Sequence, residues 1–156
     1  MFRELRRIKQ ALTKEECIEI LKTCSTGIMA VLGDNNYPYA VPLNYVYDDN
    51  KILIHCAKNG HKIDAIMKNN NVSFCVVEKD TVIPEKFATN YSSVIAFGKA
   101  TLIDDEKMMR TALEHINKKY SPNYEVEGQK EIDDSIGRVL IIQIEIEHLS
   151  GKKSRD

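Results

Sequence analysis

The chain has no tryptophan, and only four prolines and seven glycines punctuate its 156 residues. That composition excludes a collagen-like or low-complexity chain. The four cysteines, Cys17, Cys24, Cys56 and Cys75, include no C-x-x-C pair, so neither a zinc ribbon nor a thioredoxin-like redox motif is present. Their spacing reads as buried structural thiols: Cys17 and Cys24 share a helical face with Ile20 and Leu21, while Cys56 and Cys75 fall in apolar strands. His55, His61, His115 and His148 do not cluster at metal-ligand spacing, and no metal site is expected. The longest apolar run is Ile28-Met29-Ala30-Val31-Leu32, far short of the ~20 residues that cross a bilayer. No apolar signal-peptide core follows the basic start Met1-Phe2-Arg3-Glu4-Leu5-Arg6-Arg7. Neither charge dominates: 22 Lys and Arg against 23 Asp and Glu give a net charge of −1. A nucleic-acid grip through bulk positive charge is therefore not expected. The reading is one soluble, cytoplasmic domain over residues 1–156.

What is present is a succession of short periodic segments. Thr13-Lys14-Glu15-Glu16 forms a capping box, and Cys17, Ile20, Leu21 and Cys24 recur at helical spacing, predicting a helix over 14–23. A strand follows over 27–32, closed by the turn signal Gly33-Asp34-Asn35-Asn36. Tyr39, Val41, Leu43, Tyr45 and Tyr47 alternate as one strand, with Pro42 placing it at an edge or bulge. Asp48-Asp49-Asn50 turns the chain into a strand over 51–57. A helix is expected over 61–68 and a strand over 72–77. Residues 78–92 read as a long connection of the kind that is functional or covers something. A strand over 94–103 precedes a helix with Met109, Ala112, Leu113 and Ile116 on its apolar face, stopped by Ser121-Pro122. Residues 123–134 read as irregular or briefly helical, and 139–147 as the last strand, with Leu140, Ile142, Ile144 and Ile146 inward. Six strands and three helices predict a mainly β (α+β) fold, an antiparallel barrel, closed or nearly so, with helices at its ends or flanks.

Chemistry concentrates at His55-Cys56-Ala57-Lys58-Asn59-Gly60-His61-Lys62-Ile63. A strand ends, a glycine turns the chain, and a helix opens with two basic residues, where the helix dipole ordinarily favours acids. Unpaired N–H groups at a helix start favour an anion. A phosphate held by His61, Lys62 and the turn amides is one reading; a solvated basic turn is the other. No G-x-G-x-x-G or G-x-x-x-x-G-K-[ST] follows a strand, which leaves the dinucleotide fold and the P-loop unsupported. No Ser-His-Asp or Cys-His order, and no carboxylate pair, stands out as acid–base machinery. His55 reads as a wall residue, and His115 and His148 as solvent-exposed. A small barrel with a phosphate site and no catalytic set suits a protein that lends binding to a cofactor.

Three blocks in order carry a resemblance: Tyr37-Pro38-Tyr39-Ala40-Val41-Pro42-Leu43-Asn44-Tyr45-Val46-Tyr47, then Ile54-His55-Cys56-Ala57 through Gly60-His61-Lys62, then Thr89-Asn90-Tyr91-Ser92-Ser93-Val94-Ile95-Ala96-Phe97-Gly98-Lys99-Ala100. With the C-terminal Ser150-Gly151-Lys152 step they resemble the pyridoxamine 5′-phosphate oxidase-like flavoproteins, and within them the 5-nitroimidazole-resistance (Nim) branch. The resemblance implies a six-stranded split β-barrel that forms a homodimer, with FMN in clefts at the subunit interface. It implies that Val41, Pro42, Leu43 and Asn44 line the ring, that His55, Cys56 and Ala57 wall the cleft, and that His61 and Lys62 hold the phosphate. Asn90, Tyr91, Ser92 and Ser93 would approach from the partner subunit, and Lys152 from the tail. The family often has Arg where this chain has His61. The longer substrate-binding C-terminal segment of the pyridoxamine-oxidase branch is not found, which disfavours vitamin B6 oxidation. The implied activity is NAD(P)H-dependent reduction of a small acceptor such as a 5-nitroimidazole. Alternatives are a flavin sensor or store without turnover, or a barrel holding haem (through His55 or His115) or a deazaflavin.

Overall fold

A computed structural model describes residues 1–155. Helix α1 (Lys14–Thr23) opens on the capping box: Thr13 accepts from the Glu16 N–H, and the Glu16 side chain accepts from the Thr13 N–H. Strands β1 (Thr26–Leu32), β2 (Pro38–Asn44), β3 (Val46–Asp48) and β4 (Lys51–Ala57) follow, then α2 (His61–Lys68). Strands β5 (Asn71–Ile83) and β6 (Ala88–Ile103) precede helices α3 (Glu106–Tyr120) and α4 (Glu125–Ser135), and β7 (Val139–Lys153) closes the chain.

All seven strands join one antiparallel sheet in the order β2-β1-β5-β6-β7-β4-β3. Among the described residues the count of six strands and three helices becomes seven and four, and the barrel is split, as the resemblance implies. The split has a simple cause in connectivity. The two edge strands, β2 and β3, are consecutive in the chain and meet at Tyr45, where the expected single strand over 39–47 breaks. Pro42 does lie on an edge strand, opposite Ile28.

Two more segments differ from the sequence pattern. Residues 78–92 are not an irregular connection but the outer half of a long β5–β6 hairpin, paired from Lys79↔Ser92 to Ile83↔Ala88 after a bulge at Val77/Lys79. Polar side chains mislead there because this half of the hairpin has no apolar face to bury. The segment after Ser121-Pro122 is a full helix, α4, anchored by buried Ile132. β7 also runs on through the basic tail to Lys153, because Ser92 to Ile95 pair with it.

The core has two parts. Inside the barrel, Met29, Tyr45, Ile52, Ile54, Phe74, Val76, Val94, Ile142 and Ile144 pack with Leu21 of α1 and Ile63 and Ile66 of α2. On the other face of β4 and β7, Leu53 and fully buried Ile141 pack under Met109, Leu113, Ile116 and Ile132 of α3 and α4. β7 is thus covered on both sides at its start, which explains the continuous Val139-Leu140-Ile141-Ile142 run. All four cysteines are free thiols, and burial pushes each of them up from its ordinary pKa.

Candidate functional site

The β4–α2 turn has the form the sequence suggests. Gly60, at φ +143°, precedes α2 without any side-chain cap, so the first N–H groups of the helix meet no side-chain acceptor. Only glycine adopts that backbone readily. Lys62 is half-buried, close enough to Cys56 for its charge to oppose the burial-driven rise of that thiol's pKa. Lys62 is in no ion pair among the described residues. His61 is placed differently. Its Nε2 accepts the Asp34 N–H at 3.1 Å, its ring stacks on Tyr39 at 4.3 Å, and Asp34 Oδ2 lies 3.8 Å away. That imidazole binds α2 to the β1–β2 turn, leaving Lys62 as the free cation of the pair.

The remaining candidates separate by strand face. Val41 and Leu43 pack against the barrel core, whereas Pro42 and Asn44 are exposed on the outer face. Cys56 is buried inward, and His55 and Ala57 are exposed. Ser92 points inward and is buried, while Ser93 is half-buried on the outer face. Asn90 and Tyr91 are tied down by Ser154, whose Oγ donates to Asn90 Oδ1 at 2.9 Å and accepts the Tyr91 N–H at 3.2 Å. His115 Nε2 lies 3.7 Å from Asp48 Oδ2 and is half-exposed, and His148 is not the free surface group expected but stacks under Phe2 at 4.9 Å.

Register brings several of these together. One continuous cross-strand row on the outer face runs Pro42–Ile28–Cys75–Ile95–Ser150. Two residues along each strand, the same face carries Asn44, Thr26, Val77, Ser93 and Lys152. Five strands at about 4.8 Å spacing make this face roughly 19 Å wide. It is apolar for an exposed surface: Ile28, Val77, Ile95 and Phe97 are 42, 54, 39 and 38 % exposed. Sequence reading missed Ile28, Val77, Ile95 and Phe97 as site residues. Their signal was an apolar residue on both faces of β1, β5 and β6 where clean alternation would put polar ones.

The β4–α2 turn lies beside the Tyr39 end of β2, where His61 stacks. Ala57 pairs with Val139 at the start of β7, and Ser93 with Lys152 near its end. That is a strand path of roughly 40 Å at about 3.3 Å per residue.

Among the described residues no helix is long and apolar enough to cross a membrane, and no group of three or more His, Cys, Asp or Glu side chains is placed to hold a metal. Comparison with curated proteins gives no match. Solved structures do match. A proposed 5-nitroimidazole antibiotic resistance protein from Bacteroides thetaiotaomicron VPI-5482 superposes with TM-score 0.79 at 21 % identity, over 92 % of this chain and 86 % of that one. The flavocytochrome Anf3 from Azotobacter vinelandii gives 0.82 at 18 % identity, over 98 and 73 %. A FAD-binding protein from Mesorhizobium loti gives 0.68 at 24 % identity, over 94 and 98 %. These likenesses show the split-barrel fold. The sequence profile described as pyridoxamine 5′-phosphate oxidase matches residues 13–153, and the chain belongs to that family.

Proposed function

We propose that this protein binds a flavin, FMN in the first instance, and with it reduces a small acceptor such as a nitroaromatic at the expense of NAD(P)H. The observation that carries the reading is the exposed apolar outer face bordered by Asn44, Ser93 and Lys152. A planar, amphipathic ring suits such a surface: apolar side chains stack or pack on it, and border polar groups meet its heteroatoms. Solved structures of the same fold include proteins named as FAD-binding and as a flavocytochrome, which is consistent with a flavin here. The residues present fit the group at both ends. The uncapped start of α2 and unpaired Lys62 offer N–H donors and positive charge to a phosphate.

The proposal takes two copies packed through the outer face, as the resemblance implies. One copy then supplies Lys62, the other Asn90, Tyr91, Ser93 and Lys152. A bound flavin supplies hydride and electron transfer. The chain's own part is to hold the phosphate at Lys62, exclude water with Ile28, Val77 and Ile95, and orient polar contacts with Asn44 and Ser93. In this reading the protein works in the cytoplasm.

The test is the absorption spectrum of the purified protein, with FMN added if needed, followed by anaerobic NAD(P)H and a nitroimidazole. A yellow chromophore bleached by NAD(P)H and reoxidised by the acceptor is expected. Lys62→Ala should lose flavin on dialysis while staying folded. Colourless protein that refuses FMN would sink the flavin reading, and a stable yellow protein without acceptor-dependent NAD(P)H consumption would leave a binding module without turnover.

A further inference from the structure

The N-terminal segment ahead of α1 is not a loose lead-in. Phe2 stacks on His148 at 4.9 Å and Phe97 at 5.4 Å. Further along, a short turn at Ile8–Gln10 buries Gln10, whose Oε1 accepts from the Tyr91 hydroxyl at 3.3 Å. The Leu12 N–H then donates to the Gly151 carbonyl at 2.8 Å, and Ala11 bridges to Lys152. The segment is therefore fastened at three places, to His148 and to Gly151–Lys152 of β7 and to Tyr91 of β6, and it carries Leu5, Arg6 and Arg7 to the end of β7.

There Arg6, Arg7, Lys152 and Tyr91 line a cavity of about 270 Å³. The Lys152 ammonium lies 5.7 Å from the centre of the Tyr91 ring. No carboxylate lines the cavity, and none of the three cations is in an ion pair among the described residues. Three cationic side chains lining one cavity without a carboxylate favour an anion there. Two guanidinium forks and an ammonium match a phosphate better than a carboxylate, since they supply many donors from several directions. A cavity of that size has room for a phosphate and the group that carries it.

We infer that Arg6, Arg7, Lys152 and Tyr91 form a second phosphate pocket, outside the Lys62 turn of the same chain and beside the Lys152 edge of the proposed cleft, that takes a phosphate of an adenosine dinucleotide. The inference rests on the proposed nucleotide-cofactor chemistry but not on the Lys62 site. Two sources share this chemistry: the adenosine-side phosphate of FAD, whose flavin-side phosphate is the one assigned to Lys62, and the diphosphate of NAD(P)H.

The experiment titrates the full-length protein with ADP, pyrophosphate and adenosine by calorimetry, then repeats it on the Arg6→Gln/Arg7→Gln double variant. Both positions are exposed, so the fold survives the change, and thermal melting confirms it. ADP and pyrophosphate should bind, adenosine should not, and the double variant should weaken both by about tenfold or more, as expected for lost charge-assisted hydrogen bonds. No ADP or pyrophosphate binding at millimolar concentration, or equal binding by the variant, overturns the inference. The source follows from two further arms. If the variant weakens FAD but not FMN, the pocket holds FAD; if it raises only the NAD(P)H requirement, the pocket holds the electron donor; if it alters neither, the assignment to a dinucleotide falls. FMN retention by the variant reads the Lys62 site separately. Loss of flavin affinity in the wild type with intact ADP binding would strike the flavin reading alone.

Discussion

The hydroxyl of Tyr120 accepts the Tyr45 N–H at 3.1 Å and lies 2.6 Å from the Tyr45 carbonyl oxygen. Tyr45 is the single residue between the two edge strands, so no ladder partner is available for its backbone. The last turn of α3 supplies the missing partners. Lys119 Nζ adds bonds to the Tyr45 carbonyl at 3.1 Å and the Cys24 carbonyl at 2.5 Å, and stands 4.1 Å from the centre of the Tyr45 ring. The seam of the split barrel is thus closed by side chains rather than by strand pairing. Tyr120→Phe leaves the Tyr45 N–H at the seam without its acceptor and should cost about 1–3 kcal/mol. Urea denaturation of the variant measures this, and an unchanged midpoint would show that the seam does not depend on α3.

The same cluster sets a pH dependence. Burial pushes the hydroxyls of Tyr45 and Tyr120 above the ordinary tyrosine range and the Lys119 ammonium below the ordinary lysine range. The unfolded chain ionises its tyrosines near pH ~10, before the folded one does. The stability from these two tyrosines is therefore complete below about pH 10 and is lost as pH climbs toward their raised native values. Lys119 acts in the opposite sense: between its lowered native value and about 10.4 the unfolded chain holds the extra proton, and stability rises with pH. Urea midpoints should fall above about pH 10. Tyr45→Phe should blunt that fall and cost little at neutral pH, because the Tyr45 hydroxyl is buried without a partner.

Thiol chemistry offers an independent check of the core. Cys17 and Cys56 are 1 and 7 % exposed, and burial raises their pKa along with those of half-buried Cys24 and Cys75. With little thiolate present at neutral pH, reaction is slow. A disulfide reagent should modify Cys24 and Cys75 slowly and reach Cys17 and Cys56 only on unfolding. Rapid modification of all four in the native protein would contradict this packing.

Much of this was legible from local chemistry. The capping box at Thr13 and Glu16, the glycine before His61 and the Ser121-Pro122 stop each act within a few residues, so α1, α2 and the end of α3 read directly. The break at Tyr45 did not, because the alternation continues across it and the cause is the meeting of two distant sheet edges. The outer hairpin half at residues 79–92 was hidden for a related reason: its pairing is backbone to backbone, and its side chains face solvent. At the site, the turn at 58–62 declared itself by two basic residues at a helix start. The engagement of His61 by Tyr39 and the Asp34 N–H did not, since both contacts come from the β1–β2 region. That Ala57 and Ser93 pair with opposite ends of β7 follows from register alone.

Gly98 marks where register is most demanding. It sits at the shift between Phe97 and Gly98 in the β6–β7 pairing, where an added Cβ would overlap the Glu145 carbonyl oxygen. Backbone cannot swing aside as a side chain can. At Gly27, by contrast, the nearest atoms belong to the Phe74 ring. Gly98→Ala should cost roughly 2–4 kcal/mol through overpacking and strain. A change in melting temperature smaller than that of Gly27→Ala would show that the β6–β7 pairing yields more readily than its register implies.

The outer face decides whether the proposed cleft exists. Ile28 and Ile95 are each bound to Cys75 across the sheet and about two-fifths exposed, so a glutamate at either site has room in a single chain and leaves the barrel core untouched. In a symmetric pair every substitution is present twice, and each isoleucine withdrawn from an apolar interface forfeits about 1–2 kcal/mol before charge repulsion is counted. The Ile28→Glu/Ile95→Glu variant should therefore be monomeric by light scattering under conditions where the wild type is dimeric, with a melting temperature reduced only by the loss of association. Flavin retention should fall with it, because the Lys62 turn of one copy and the Ser93–Lys152 edge of the other no longer meet. A monomeric variant that keeps its flavin would place the whole cofactor site within one chain and overturn the shared cleft; a variant that stays dimeric would move the interface off this face.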